Sequence, residues 1–303
     1  MGKSKTVSRP KIIARDWNVG LDRARAALYK KYYTWITGHD GAFLYEKIIQ
    51  QLYTAILESG DTCIDVGANK GFHTFPMASL VGGAGKVYAF EPISELNSAL
   101  VERARRETVN QIEFILAALG SKSGDVEFFS IKNYTPLSGL KLRSPPADAV
   151  VEQIKVPLMR LDERIARDAR VRFIKIDVEG GELDVIKGGL ELIKRSRPII
   201  AFEDGRDKAA ESYGYTIDDY FRVFSQAELV PIDILGARIR ALRIDLSGCR
   251  FVDIQIAAAL GRAQFTVDIV GEDFGRHARS LAAPISALRT VNAAVAANNG
   301  SQR

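Results

Sequence analysis

Only two cysteines, Cys63 and Cys249, occur in the 303 residues, and they stand far apart inside apolar runs. That scarcity excludes a disulfide scaffold and a four-cysteine zinc module, and it fits a reducing compartment. Histidine is almost as rare: His39, His73 and His277 are the full set, too few for a histidine-rich metal site. No apolar run approaches the roughly 18 residues of a membrane helix. The polar start also lacks the apolar core of a signal peptide. A soluble cytoplasmic protein is the expectation. Apolar residues at 47% and charged residues at 26% are ordinary globular values and exclude a disordered chain or a fibre.

Net positive charge is also lacking outside one segment. Residues 1–31 hold nine basic residues against Asp16 and Asp22, so a net charge of +5 for the chain leaves −2 for everything after them. A nucleic-acid-binding core carries its own basic face; this core is close to neutral, and no nucleic-acid partner is expected. The arm reads as a solvated leader rather than a tether to a membrane surface or a polyanion. Met1-Gly2-Lys3-Ser4-Lys5-Thr6 also fits the short N-myristoylation pattern, which arises readily by chance.

From Leu21 to Ser59 apolar residues recur at helical spacing in two runs, one through Leu28, Tyr32 and Ile36 and one through Ile48, Leu52 and Ile56. After Gly60-Asp61 the pattern changes to short apolar runs alternating with helical stretches. Strands are expected at 62–66, 86–90, 112–117, 172–177 and 198–202, with helices between them. That alternation specifies a parallel sheet covered on both faces. Two segments break it. Residues 125–158 read as a β-hairpin around a polar loop, 132–150. Near the end, 230–234 and 251–256 are too close for a helical crossover and should pair antiparallel.

The most informative segment is Asp65-Val66-Gly67-Ala68-Asn69-Lys70-Gly71. It leaves a strand and enters a helix, where open α/β sheets collect ligands. The spacing is G-x-x-x-G, not the G-x-G-x-x-G that seats a dinucleotide pyrophosphate. Asp65 would repel a pyrophosphate; it suits a ligand with a charged amino group, such as S-adenosylmethionine, which carries a sulfonium as well. Glu91 ends the second strand, where a carboxylate accepts ribose hydroxyls in several adenosine-binding classes. Ala117-Ala118-Leu119-Gly120 is small and apolar enough to lie beside an adenine. Lys175-Ile176-Asp177-Val178-Glu179-Gly180-Gly181-Glu182 follows the strand expected beside the first.

These segments, with Phe90-Glu91-Pro92, Leu161-Asp162 and Pro198 through Glu203, resemble the FkbM-type family of S-adenosylmethionine-dependent methyltransferases, in order and spacing over residues 41–235. The resemblance implies a Rossmann-like class I methyltransferase fold: a mostly parallel seven-stranded sheet, an antiparallel terminal strand and N-terminal helices. It implies O-methylation of a sugar, polyketide or other secondary metabolite, with S-adenosyl-L-methionine as cofactor and a small molecule or glycan as acceptor. The chain then divides into a basic leader (1–20), N-terminal helices (21–60), the cofactor-binding domain (61–260) and a helical or frayed extension (261–303). Asp65, Gly67, Asn69, Gly71, Glu91 and Ala118 are expected at the cofactor. Asp177 and His73 are candidate bases, with Lys175 beside Asp177. Glu179 and Glu203 are expected to orient acceptor hydroxyls, without a required metal. A nicotinamide-dependent oxidoreductase shares Glu91 but needs the third glycine; a non-catalytic protein retaining the fold is the other alternative.

Overall fold

β-branched and aromatic runs of about five residues, each closed by a helix, leave this chain few topologies. A computed structural model describes residues 42–204, 206–233 and 253–259, all within a unit bounded by Met1 and Gln264. The basic leader, the first of the two expected N-terminal helices and the C-terminal extension lie outside the described residues.

In chain order the strands are β1 (Thr62–Val66), β2 (Lys86–Phe90), β3 (Ile112–Ile115), β4 (Ala118–Leu119), β5 (Gly124–Ile131), β6 (Val151–Met159), β7 (Val171–Ile176), β8 (Ile199–Asp204), β9 (Leu229–Asp233) and β10 (Asp253–Ala259). The helices are α1 (Ala42–Ile56), α2 (Thr74–Val81), α3 (Ser94–Arg106), α4 (Leu161–Arg164), α5 (Glu182–Gly188), α6 (Leu190–Ser196), α7 (Arg206–Tyr213) and α8 (Ile217–Gln226). Seven strands form the main sheet in the order β3-β2-β1-β7-β8-β10-β9. β3, β2, β1, β7 and β8 pair in parallel. β10, the last described strand, inserts antiparallel between β8 and β9. The order reverses at β1, whose neighbours are β2 and β7, so the switch point where such sheets bind ligands lies there.

Alternation along the strands divides the core. Ile64, Val66, Ile174, Ile176 and Phe202 point to one face, against Leu183 and Ile186 of α5 and Phe224 of α8. Cys63, Asp65, Phe173 and Lys175 point to the other, where the Tyr53 ring of α1 meets Phe173 edge-on at 5.8 Å. Two charged side chains, Asp65 and Lys175, thus sit side by side in the ladder on the α1–α2 face.

Three expectations are modified. The third strand stops at Ile115, and Ala118–Leu119 leaves the main sheet to pair with β6. The expected hairpin forms, with Val126 opposite Val156 and Phe128 opposite Ile154, and with β4 it makes its own three-stranded sheet. The helix after β7 is two helices, because Gly188 and Gly189 interrupt it. The Asp162 carboxylate then caps the second one, accepting the backbone N–H groups of Leu192 at 2.8 Å and Glu191 at 3.2 Å. Among the described residues no helix is long and apolar enough to cross a membrane.

Candidate active site

Strand register brings the expected site residues into one row. Val66 is level with Phe90 and with Ile176, and Ile176 with Phe202. One residue further on each chain stand Glu91, Gly67, Asp177 and Glu203. At a strand spacing of about 4.8 Å, this row crosses roughly 14 Å from Glu91 to Glu203. It floors a cavity of about 570 Å³ at the C-terminal edge of the sheet. Gly67, Asn69, His73, Glu91, Ala118, Lys175, Asp177, Glu179 and Glu203 all line it. Asp65 and Gly71 do not; they shape its wall from behind.

The wall over β1 is a turn of unusual backbone, with φ of +80° at Gly67, +47° at Asn69 and +78° at Gly71. A Cβ on Gly67 would stand 2.0 Å from the carbonyl oxygen of Asp177, and one on Gly71 2.7 Å from Leu100 and Phe75. Both glycines therefore answer to packing within the protein, and the turn is held close against β7 as a result.

Glu91 is buried, and its two carboxylate oxygens accept backbone N–H groups from Asn69 at 2.8 Å and Ile93 at 2.9 Å. Burial pushes its pKa up to about 7, against the lowering effect of those donors and of Lys175. A buried, pre-aimed carboxylate on a cavity wall is stabilised by hydroxyl donors from a ligand. Next to it, Ala117, Ala118, Leu119, Ile93 and Phe128 supply an apolar surface. This combination fits the ribose and base of an adenosine-containing cofactor. The carboxylates of Glu46, Glu91, Asp177, Glu179 and Glu203, which outnumber the cationic Lys70 and Lys175 around the cavity, fit a cofactor that bears positive charge.

Behind the row, Lys175 is buried with its Nζ 3.1 Å from the Gly67 carbonyl oxygen. It lies 3.6 Å from Asp65 and 3.3 Å from Asp177. Burial alone would favour the neutral amine, yet the charges of Asp177, Asp65 and Glu46 raise Lys175 above the ordinary lysine value. Asp65 also accepts the Thr74 hydroxyl at 2.6 Å. Its side chain fixes α2 and Lys175 beneath the turn.

At the far end, burial works against Asp177, but the Lys175 ammonium and a hydrogen bond from Glu203 hold it below its usual value. Burial and the charges of Asp177, Glu179 and Glu182 push Glu203 well above the carboxylate range. Of the two, Glu203 has the higher proton affinity, and the hydrogen bond between them runs from Glu203 to Asp177. Glu179 sits in left-handed backbone, φ +57°, a strain of about 1–2 kcal/mol, with Arg143 3.3 Å from its carboxylate. Burial and Asp177 raise Glu179 to about 7. Glu182 pins this turn from below by accepting the N–H groups of Gly180 at 2.9 Å and Val178 at 3.1 Å. One oxygen each of Asp177, Glu179 and Glu203 fall within 4.8 Å of one another.

His73 precedes α2, is buried, and borders the cavity. Its Nε2 lies 2.5 Å from the Glu46 carboxylate of α1, and its Nδ1 lies 3.4 Å from the Tyr53 hydroxyl. Glu46 was not foreseen from the sequence; a single acid on an amphipathic helix, 27 positions before its partner, carries no local signal. The hairpin loop reaches the cavity through Thr135, Pro136, Ser138 and Leu140, and Thr135 donates to the Asn69 side chain at 3.2 Å.

Comparison with known proteins gives this geometry its place. Hexuronic acid methyltransferase AglP of Haloferax volcanii is 28% identical over 152 residues, 47% of this chain and 56% of that protein. A protein-L-isoaspartate O-methyltransferase of Ignicoccus hospitalis is 40% identical over 68 residues, 22% of this chain and 32% of that one. The matches thus span about half of the first relative and a third of the second. The crystal structure of a methyltransferase FkbM from Methylobacillus flagellatus KT matches with 17% identity and a TM-score of 0.42, covering 79% of this chain and 60% of that one. The Methyltransferase FkbM domain model matches residues 65–226, from Asp65 in β1 through the last helix before β9, and the chain belongs to that family.

Proposed function

We propose that the protein methylates a hydroxyl oxygen of a sugar or another hydroxylated metabolite, polyketides included, with S-adenosylmethionine as the methyl donor. The row of Glu91, Gly67, Asp177 and Glu203 across four neighbouring strand ends carries this reading. It joins a nucleoside-shaped subsite to a ring of carboxyl groups in one cavity. The similarity to a hexuronic acid methyltransferase supports a sugar acceptor.

When bound, the cofactor supplies a methyl group on a positively charged sulfur. Glu91 would hold the ribose hydroxyls, with Ala117, Ala118 and Leu119 against the base. Gly67 and Asn69 would offer the backbone of the turn, while Asp65 and Gly71 keep that turn in place. Asp177 is held ionised by Lys175 and is bonded to Glu203, so it orients a hydroxyl well while its oxygens are already engaged. Its part is to align the acceptor. Glu203 donates its hydrogen bond to Asp177 and keeps its carbonyl oxygen for a second acceptor hydroxyl. Glu179, raised to about 7 by burial and by Asp177, can donate or accept near neutral pH. Such a ring suits a neutral polyol, and the acidic wall disfavours a phosphate backbone.

Incubation of the full chain with S-adenosylmethionine carrying a labelled methyl group, and a panel of uronic acids, neutral sugars and hydroxylated polyketides, tests the reading. Methyl ether products are expected, and a methyl ester, formed on a carboxylate that has no proton to lose, counts against the hydroxyl reading. Transfer to nitrogen or carbon alone, or to nothing in the panel, overturns it. Asp177→Asn should lower turnover by about tenfold or more and leave cofactor affinity nearly unchanged.

A further inference from the structure

The observation left over is the contact between α1 and the residue before α2. Glu46 lies outside the matched segment 65–226, yet it lines the same cavity as Asp177. We propose that Glu46 is the base that takes the acceptor's proton, and that His73 is the residue that positions it. This rests on the methyl-transfer reading.

The geometry assigns the two parts. His73 is 4% exposed, and its ring is fixed edge-on between Tyr53 at 5.8 Å and Phe72 at 5.1 Å. Its Nδ1 faces the hydroxyl of Tyr53, a residue that is 1% exposed and does not line the cavity. The imidazole therefore has no free nitrogen for an acceptor: Nδ1 looks inward and Nε2 looks at Glu46. Glu46, by contrast, keeps 39% of its side chain exposed. In the proposed arrangement the proton sits on Nε2 and is donated to Glu46 at 2.5 Å, so the second oxygen of that carboxylate is left for the acceptor. The other charged groups about the pair are Lys175 and Asp177 from the end of β7, with Asp65 behind them. Asp177 is committed to Lys175 and Glu203, Glu179 to Arg143, and both oxygens of Glu91 to backbone N–H groups, so among the described lining residues Glu46 is the carboxylate whose partner is a histidine alone.

In the step itself the acceptor hydroxyl gives its proton to Glu46, which becomes a neutral carboxyl group. The electron pair of the O–H bond stays on the oxygen as that oxygen bonds to the methyl carbon. The pair of the broken methyl–sulfur bond stays with sulfur, whose positive charge is lost. Charge and atoms balance with no further reactant.

Two measurements on the full chain decide the matter. With only three histidines, the ring nitrogens of His73 can be assigned by 15N NMR against a His73→Asn control. A proton on Nε2 at neutral pH is expected. A ring protonated on Nδ1 alone overturns the proposal, because the Glu46 carboxyl would then have to hold the shared proton and could not accept another. On an acceptor found by the panel, Glu46→Gln keeps the contact to Nε2 but should lower kcat by about 10²-fold or more. KM for the acceptor and for S-adenosylmethionine should stay within roughly threefold, and Glu46→Asp should restore part of kcat. A Glu46→Gln enzyme with wild-type kcat overturns the proposal. Failure of every acceptor with the wild-type enzyme defeats the methyl-transfer reading, while the NMR measurement still decides the Glu46–His73 pairing.

Discussion

The ammonium of Lys175 lies 3.3 Å from the carboxylate of Asp177 and 3.6 Å from that of Asp65, so one buried cation serves two anions on adjacent strands. Removing it leaves Asp65 charged at 1% exposure and leaves Asp177, whose side chain is 37% exposed, without its cation. Lys175→Met is expected to destabilise the fold by about 3 kcal/mol or more, read as a lower urea midpoint. Lys175→Met with Asp65→Asn should recover part of the loss. A single variant as stable as the wild type would mean that the two carboxylates are hydrated in solution.

Stability should fall as pH rises from about 4.5 to 8 in the protein without ligand. Glu182 is raised to about 8 and Glu91 to about 7, both chiefly by burial. In that window the folded chain binds more protons than the unfolded one, so the slope of unfolding free energy against pH is negative. Glu182→Gln keeps the acceptor oxygen for Gly180 and Val178 but cannot ionise. It should flatten the slope by up to about 1.4 kcal/mol per pH unit, measured by denaturant titration at several pH values; an unchanged slope refutes the assignment.

Glu91→Ala should weaken binding of S-adenosylmethionine, and of the demethylated product, by roughly tenfold to a hundredfold in calorimetry. The variant loses the carboxylate and also frees the N–H groups of Asn69 and Ile93. Equal affinity in both proteins would move the ribose away from β2.

At Gly67 the expected effect is on the fold as much as on the ligand. Gly67→Ala adds a Cβ 2.0 Å from the Asp177 carbonyl oxygen, at φ +80°. Left-handed strain and overpacking together should amount to about 3 kcal/mol or more. A variant that melts at the wild-type temperature would show that β1 and β7 can part at no expense.

The sheet was legible because its signal is local: β-branched runs of about five residues are closed by turns and separated by helices. β2 falls at Lys86–Phe90 as its pattern predicts, and the hairpin pairs Phe128 with Ile154. Motif reading also located most of the cavity, since Glu91, Asp177 and Glu203 each end a strand and register does the rest. It did not foresee that Asp65 and Gly71 act from behind the wall, because burial of a strand-end carboxylate depends on what the next strand presents, here Lys175. Asp162 and Glu182 have the same lesson: both belong to recognisable motifs, and both spend their oxygens on backbone N–H groups. Glu46 was invisible because nothing local links a helix acid to a histidine 27 positions later.

The small sheet β4-β6-β5 closes its own ladder of hydrogen bonds while its loop, 132–150, reaches over the cavity. Insertions or deletions at that tip leave the seven-stranded scaffold untouched. Variation confined to that loop can therefore reshape the upper wall of the cavity while the strand ends that floor it, and the β4 and β5 side chains beside them, keep their places.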